Sequence, residues 1–400
     1  MTLHDAHGDT ASKSRRHILA LDGVRGSAIL LVIVRHLSLM DIGVHPADPL
    51  LDRTLHAVES LGWVGVDLFF VLSGYLITGI LLDAKDHESA FKWFWLRRAL
   101  RIFPLYYAAL LILFLIAPLV WPLAGDPSLP AFKASWPWYA SYAINYRQAS
   151  LNLYNTGHFW SLAVEEQFYL IWPFIVLRVN RTTLWKAMVA MIVAALAIRI
   201  WLVYYSSFGV LAAYTFAPAR MDVLAAGALV ALATRSTTAL PRAAKSLPYV
   251  GAASTVGLVA LAIVGSGGFT NENPLIATFG YTLIAAIGAT VLFGVVERQA
   301  SQRTVDILES TTLRAFGKYS YCLYVVHYPL FMIVEPVVRH LRLPRIGGSA
   351  ILIWIVSATL LVGSSFAIAW TSWRFFEGPL NGLKRYVRLG PKRVTPVPVA

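Results

Sequence analysis

The sequence predicts an all-α protein, a polytopic transmembrane helix bundle of about ten spans with both termini in the cytoplasm. Three observations lead there. Of 400 residues, 57% are hydrophobic and only 14% charged, where soluble domains carry about 25% charged residues. Apolar runs of about 20 residues, the length that crosses a hydrocarbon core, recur along the whole chain. With the amino terminus inside, 24 of the 34 Lys and Arg fall in inside segments, six in outside segments and four within spans, the asymmetry expected of cytoplasmic loops. The net charge of +13 therefore anchors loops; a nucleic-acid-binding face would need a soluble basic surface. A single cysteine, Cys322, excludes an intrachain disulfide framework and a thiolate metal cluster, and no metal is expected.

Residues 1–17 form a basic tail expected to stay on the cytoplasmic side, because the run that follows is charged and lacks a small-residue cleavage site. That run, 18–40, is the first span and carries Asp22, Arg25, Arg35 and His36. Each ionisable group at bilayer depth costs roughly 2.5 to 3.5 kcal/mol, so such groups face a bundle interior or a wet cavity. Ten residues separate Arg25 from His36, about three helical turns, which puts both on one face roughly 16 Å apart. That face offers a fixed cation and a group that exchanges protons near neutral pH. The plainer alternative has Arg25 snorkelling to a headgroup and His36 at the far interface.

The second span, 62–82, has Asp67, Ser73 and Tyr75 within an apolar run, and Gly62, Gly65, Gly74 and Gly79 allow close approach of a helix or ligand. Small-residue packing leaves Asp67 unexplained. In the cytoplasmic stretch Phe91 to Tyr107, Arg98 and Arg101 are three apart and neighbours on one face, with Arg97 alongside. Guanidinium forks bind phosphate bidentately, so this group suits a phosphorylated ligand such as a coenzyme A thioester; a positive-inside anchor is the alternative. The third span is 102–121. The aromatic segment 132–149 is read as non-spanning, since another crossing would put the downstream basic loops outside; its Asn145 is a candidate for the acceptor side.

The fourth span, 157–177, is the most polar. His158, Ser161 or Leu162, Glu165 and Tyr169 share one face, while Glu166 and Gln167 turn toward another. Glu165 is either a structural partner for an arginine such as Arg25, or a carboxylate that orients His36 or binds a substrate hydroxyl. Six further spans follow at 185–204, 218–234, 247–265, 274–296, 317–338 and 349–373. Arg220 and Asp222, two apart, do not share a face, so each is expected to bond to a neighbouring span. Tyr324 and His327 do share one, and Pro329 frees backbone carbonyls beside His327, which is a core histidine or part of the acceptor path. The chain thus divides into a transmembrane domain, 18–373, between the tail 1–17 and a basic tail, 374–400, expected to lie on anionic lipid.

Residues 21–36 (LDGVRGSAILLVIVRH), 65–75 (GVDLFFVLSGY), 97–104 (RRALRIFP), 158–169 (HFWSLAVEEQFY), 218–222 (PARMD) and 319–329 (YSYCLYVVHYP) together resemble the acyltransferase-3 family of integral membrane O-acyltransferases. That family includes enzymes that acetylate O-antigen, exopolysaccharide and nodulation-factor sugars, and some that acylate macrolides. The match runs in order from Leu21 to Glu377-Gly378-Pro379. The resemblance implies residence in a bacterial inner membrane, a cytoplasmic acyl-CoA donor, acetyl-CoA foremost, and a hydroxyl of a carbohydrate or small molecule as acceptor. It implies that Arg25 and His36 are essential, that Arg98 and Arg101 attend the donor, and that Glu165 is the glutamate of the tryptophan-serine-leucine motif. The soluble hydrolase-like domain that some members carry is not expected here.

The expected mechanism has Arg97, Arg98 and Arg101 on the coenzyme phosphates, His36 taking the acceptor proton, Arg25 or a backbone donor offsetting the oxyanion, and Glu165 orienting His36 or the acceptor. A variant forms an acyl-enzyme on His36 or Ser161. The competing class is a proton-coupled transporter or lipid-linked sugar flippase, with Arg25, His36 and Glu165 as a proton relay.

Overall fold

In a computed structural model the described residues are 18–37, 49–116, 132–151, 157–265 and 268–392. The expected tail 1–17 and the end of the other tail, from 393 on, lie outside them. Among the described residues the regular structure is helical, apart from two isolated bridges, His87 with Lys392 and Ile346 with Ser349. The helices are α1 (Leu19–Leu37), α2 (Leu50–Ser60), α3 (Val64–Ala84), α4 (Ala90–Leu111), α5 (Trp136–Ala140), α6 (Ile144–Leu151), α7 (Phe159–Arg178) and α8 (Arg181–Tyr204). They continue as α9 (Gly209–Thr215), α10 (Ala217–Ala233), α11 (Ala239–Val264), α12 (Tyr281–Val296), α13 (Gln302–Leu308), α14 (Thr311–His340), α15 (Ile351–Ser372) and α16 (Gly378–Gly382).

A helix stands at each of the ten expected spans, but seven of the helical stretches are long and apolar enough to cross a membrane, or eight if the bent pair α9 and α10 counts as one. Those that fall short are the most polar: α1 carries Asp22, Arg25 and Arg35, and α7 carries Glu165, Glu166 and Gln167. The third span also begins earlier than expected. Phe91 to Tyr107 has no glycine to interrupt it, so α4 starts at Ala90 and runs through Pro104, ending in a π-helical turn at Ile112–Ile116. The aromatic segment folds into α5 and α6, of five and eight residues, with Tyr142 between them at φ 53°. Neither reaches the length of about 20 residues that a crossing needs.

Glycines set the closest crossings. A Cβ on Gly23, Gly26 or Gly317 would collide with the carbonyl oxygens of Leu308, Leu313 and Asp22, so the start of α1 lies backbone to backbone against the end of α13 and the start of α14. Gly74 and Gly227 do the same for α3 on α10, against Leu224 and Val71. Gly227→Ala is expected to destabilise the protein by about 1–3 kcal/mol through overpacking. Thermal unfolding in detergent would show it as a lowered midpoint, whereas Gly363→Ala, with open space around it, should leave the midpoint at or above the wild-type value.

Deep in the bundle, Arg220 of α10 pairs with Asp67 of α3, and Arg199 of α8 pairs with Asp222 of α10 at 2.8 Å. Arg199 Nε also donates to the Thr278 carbonyl at 2.8 Å. Arg220 and Asp222 thus bond to different neighbours, as their two-residue spacing requires. At the carboxyl end, the segment expected as a lipid-bound tail is held by protein through Lys392. Arg97 donates to the Lys384 carbonyl at 3.0 Å, Gly390 N donates to Ser89 Oγ at 2.6 Å, and Glu88 N donates to the Pro391 carbonyl at 3.2 Å.

Candidate active site

Helix α1 runs past three cavities in succession. The first, of about 380 Å³, is basic: Arg25, Arg101, Arg314, Lys318 and Lys384 line it, against a single carboxylate, Asp22. Asp22 and Arg25 form a pair at 3.3 Å, which leaves a large excess of positive charge on the cavity wall. The Gly317 crossing is what brings Arg314 and Lys318 beside Asp22 and Arg25. Asn381 and Lys384 complete the wall from the carboxyl-terminal segment that Arg97 ties down.

The second, middle cavity holds about 100 Å³ and shares Arg25 and Arg101 with the first. Arg98, Ser73, Ser161, Glu165, Glu166 and Tyr169 face it. Ser73 donates to Glu165 and accepts from Tyr169 OH at 3.0 Å. The Arg98 guanidinium lies 5.1 Å from the centre of the Tyr169 ring, a cation–π arrangement that holds its charge toward the two glutamates. Ser161 and the Tyr324 hydroxyl bond to each other, and both also reach the His158 carbonyl, at 3.2 and 3.1 Å.

The third cavity, of about 350 Å³, contains His36 and meets the middle one at Val66 and Tyr324. His36 Nδ1 lies 2.7 Å from the Val32 carbonyl. A carbonyl accepts only, so Nδ1 carries the hydrogen and Nε2 the lone pair. His327, fully buried, is held the same way, with Nδ1 donating to the Tyr324 carbonyl at 2.8 Å. Its ring centre is 4.8 Å from that of His36 and 4.6 Å from that of His158. Among the described residues no group of His, Cys, Asp and Glu has the arrangement to hold a metal ion.

The structure thus collects Arg25, Arg98, Arg101, Ser73, Ser161, Glu165 and Glu166 in connected cavities, and His36 and His158 in the next. It separates others from them. Glu165 bonds Ser73 in the middle cavity while His36 lines the third, so the carboxylate does not orient the imidazole. Glu166 lines the same cavity as Glu165, although the two were expected on different faces, because the cavity wraps around α7. Gln167 does turn away, accepting from and donating to Asn145 and reaching the Tyr142 carbonyl at 2.7 Å, so Asn145 bonds at the α6–α7 contact and lines none of these three cavities. Arg97 serves the carboxyl-terminal segment, Asp67, Arg220 and Asp222 sit in buried ion pairs, and Tyr75 is buried toward Arg235. Arg314, Lys318, Lys384, Trp63 and Gln148 were not anticipated. Each is unremarkable in its own segment, and only the positive-inside count touched the three cations.

The acyltransferase-3 family, described as an acyltransferase domain, matches residues 18–374. Peptidoglycan O-acetyltransferase OatA of Listeria monocytogenes is 28% identical over 395 residues, which is 95% of this chain and 58% of that protein. A putative peptidoglycan O-acetyltransferase of Bacillus subtilis, YrhL, is 28% identical over 391 residues, 92% of this chain and 56% of its own length. A putative O-acetyltransferase of Staphylococcus aureus is 26% identical over 394 residues, with 95% and 60% covered. The chain therefore spans less than two thirds of the length of these curated relatives. No solved structure matches it. A family match across nearly the whole bundle, in a chain whose long apolar helices are built for a membrane, establishes that this protein belongs to the acyltransferase-3 family of integral membrane proteins.

Proposed function

We propose that the chain is a membrane-embedded O-acyltransferase that moves an acyl group, acetyl foremost, from acyl-CoA to a hydroxyl of a carbohydrate or small-molecule acceptor. The observation that carries this reading is the order of cavities along α1: an excess of cations at one end, a polar middle, and a histidine cluster at the other. The bundle crosses ten times with both termini in the cytoplasm, so the basic cavity faces the compartment that holds acyl-CoA. Relatives named as peptidoglycan O-acetyltransferases make a cell-wall sugar one such acceptor.

In this reading the coenzyme phosphates sit among Arg25, Arg101, Arg314, Lys318 and Lys384, where forked guanidinium groups meet phosphate oxygens. Arg97 contributes indirectly, by holding the segment that carries Lys384. The pantetheine arm enters the middle cavity past Arg98 and brings the thioester to the wall formed by Val66 and Tyr324. The acceptor hydroxyl attacks the thioester carbonyl, the new C–O bond forms as the C–S bond breaks, and His36 Nε2 takes the hydroxyl proton and returns it to the departing thiolate. The hydroxyls of Tyr324 and Ser161 are the donors nearest that wall for the developing oxyanion. A transporter relay would need Arg25, His36 and Glu165 in one polar chain; Arg25 and Glu165 share the middle cavity but His36 lies in the next, which favours the transferase instead.

Removing one charge-assisted contact to phosphate costs about 1.5–3 kcal/mol. Arg101→Ala is accordingly expected to raise KM for acetyl-CoA about tenfold or more, with little change for acetyl-pantetheine, which has no nucleotide phosphates to lose. An unchanged KM for acetyl-CoA would take the basic cavity out of donor binding. Failure of the wild-type chain to form any ester from acetyl-CoA, across saccharide and small-alcohol acceptors, would sink the transferase reading itself.

A further inference from the structure

One wall of the basic cavity is fastened differently from the others. Asn381 and Lys384 reach it from residues 378–392, a segment that leaves the bundle after α15 and ends on the loop between α3 and α4. No residue from 378 to 392 is buried, and even Leu383 and Tyr386 are 42% and 68% exposed. Polar contacts hold the segment instead. Arg97 Nη1 donates to the Lys384 carbonyl at 3.0 Å and to the Val387 carbonyl at 3.4 Å. Ser89 Oγ accepts from Gly390 N at 2.6 Å, and His87 Nδ1 donates to the Gly390 carbonyl at 2.6 Å. A segment held by exposed hydrogen bonds, with no buried apolar side chain of its own, opens locally at far smaller cost than the bundle unfolds.

Charge opposes those hydrogen bonds. Between 378 and 392 the segment carries Lys384, Arg385, Arg388 and Lys392 and no Asp or Glu. Its closed position sets Lys384 on one wall with Arg25, Arg101, Arg314 and Lys318, where the carboxylate present, Asp22, is paired with Arg25. Like charges in a partly dehydrated cavity repel more strongly than in water. Phosphates placed among them reverse the sign, because each cation then faces an anion. What lies in the cavity therefore decides whether Lys384 is pushed away from its wall or drawn onto it.

We propose that residues 378–392 form a strap beside the basic cavity that a polyanion bound there pulls shut, with Arg97, Ser89 and His87 as the residues that position its Lys384. Naming that polyanion coenzyme A rests on the transferase reading; the coupling of anion to strap needs only a cluster of phosphates. Linkage makes the coupling reciprocal: the factor by which the anion favours the closed strap is the factor by which the closed strap tightens the anion. Arg97 and Ser89 do not line the cavity. They act on the anion through the strap alone.

The test follows amide hydrogen exchange by mass spectrometry on the full chain in nanodiscs of zwitterionic lipid, where no anionic headgroup competes for the strap's cations. Saturating CoA, and separately inorganic tripolyphosphate, should each slow exchange across 383–390 about fivefold or more, and leave the loop at Gly347 and Gly348 unchanged. Ser89→Ala and Arg97→Ala should speed exchange in the same peptide and weaken CoA binding, read by calorimetry, about two- to tenfold, the effect of a lost hydrogen bond. Arg97→Ala should also cost markedly less affinity in a Lys384→Ala background than in the wild type, since the two residues act as one unit. An equal loss in both backgrounds would make Arg97 a direct phosphate ligand and overturn its positioning role. Exchange across 383–390 that neither anion alters, or a chain that binds neither, overturns the strap. The two readings separate: anion-dependent protection in a chain that makes no ester from acetyl-CoA keeps the strap and removes the transferase. Ester formation from acetyl-CoA with strap exchange indifferent to saturating CoA does the reverse.

Discussion

His36→Ala is expected to lower acyl transfer by about 10²- to 10⁴-fold, the contribution of a positioned general base, while the protein stays folded and inserted. The expectation follows from how the imidazole is held. The Val32 carbonyl fixes the hydrogen on Nδ1 and leaves the Nε2 lone pair as the proton acceptor. The ring stands edge-on to His327 and Tyr328, at 4.8 and 5.1 Å between centres, so its direction is set by packing on α14. Acetyl-CoA-dependent ester formation should fall in kcat much more than in acceptor KM, because the lost group acts on the proton in flight rather than on the resting sugar. A variant with near-normal kcat and a wild-type thermal midpoint would deny His36 the role.

Breaking the ion pair between Arg220 and Asp67 is expected to cost about 3–5 kcal/mol of stability, the usual penalty for leaving one buried charge without its partner. Both side chains are fully buried, and the Arg220 guanidinium also stands 4.0 Å from the centre of the Tyr281 ring. Arg220→Met should therefore lower the thermal midpoint sharply. Replacing both partners, Asp67→Leu with Arg220→Met, should recover much of the loss, since apolar pairs of similar volume substitute well for buried ion pairs. The exposed pair of Arg235 with Asp83, whose carboxylate side chain is 60% exposed, gives the contrast: Asp83→Asn should shift stability by about 0–1 kcal/mol. A small effect at Arg220, or no recovery in the double variant, would show that the pair does not hold α3 to α10.

Helical period is what made parts of the site legible in the chain. Arg98 and Arg101, three apart, do share a face, and both reach the connected cavities. Arg220 and Asp222, two apart and about 160° from sharing a face, bond to different helices. Arg97 lies only about 40° from Arg101 by the same period, yet it reaches the carboxyl-terminal segment, which packing decides. The period says nothing about what stands opposite a residue, and so left open what Glu165 meets. Its partner is Ser73, 92 residues earlier in the chain, and its cavity is not that of His36. Likewise the basic cavity takes Lys318 from α14 and Lys384 from beyond α16, two cations that in sequence are ordinary loop charges.

By itself the sequence determined the membrane class, the all-helical architecture and the family, because hydrophobic length and period are properties of a segment and need no neighbour. The tertiary structure decided which polar side chains meet. Glycine contacts between α1 and α14 and between α3 and α10 set the helix crossings, and those crossings divide one row of ionisable residues among three cavities. A residue's angle on its own helix is local, whereas the wall it completes is assembled from helices far apart in the chain, and only their packing specifies it.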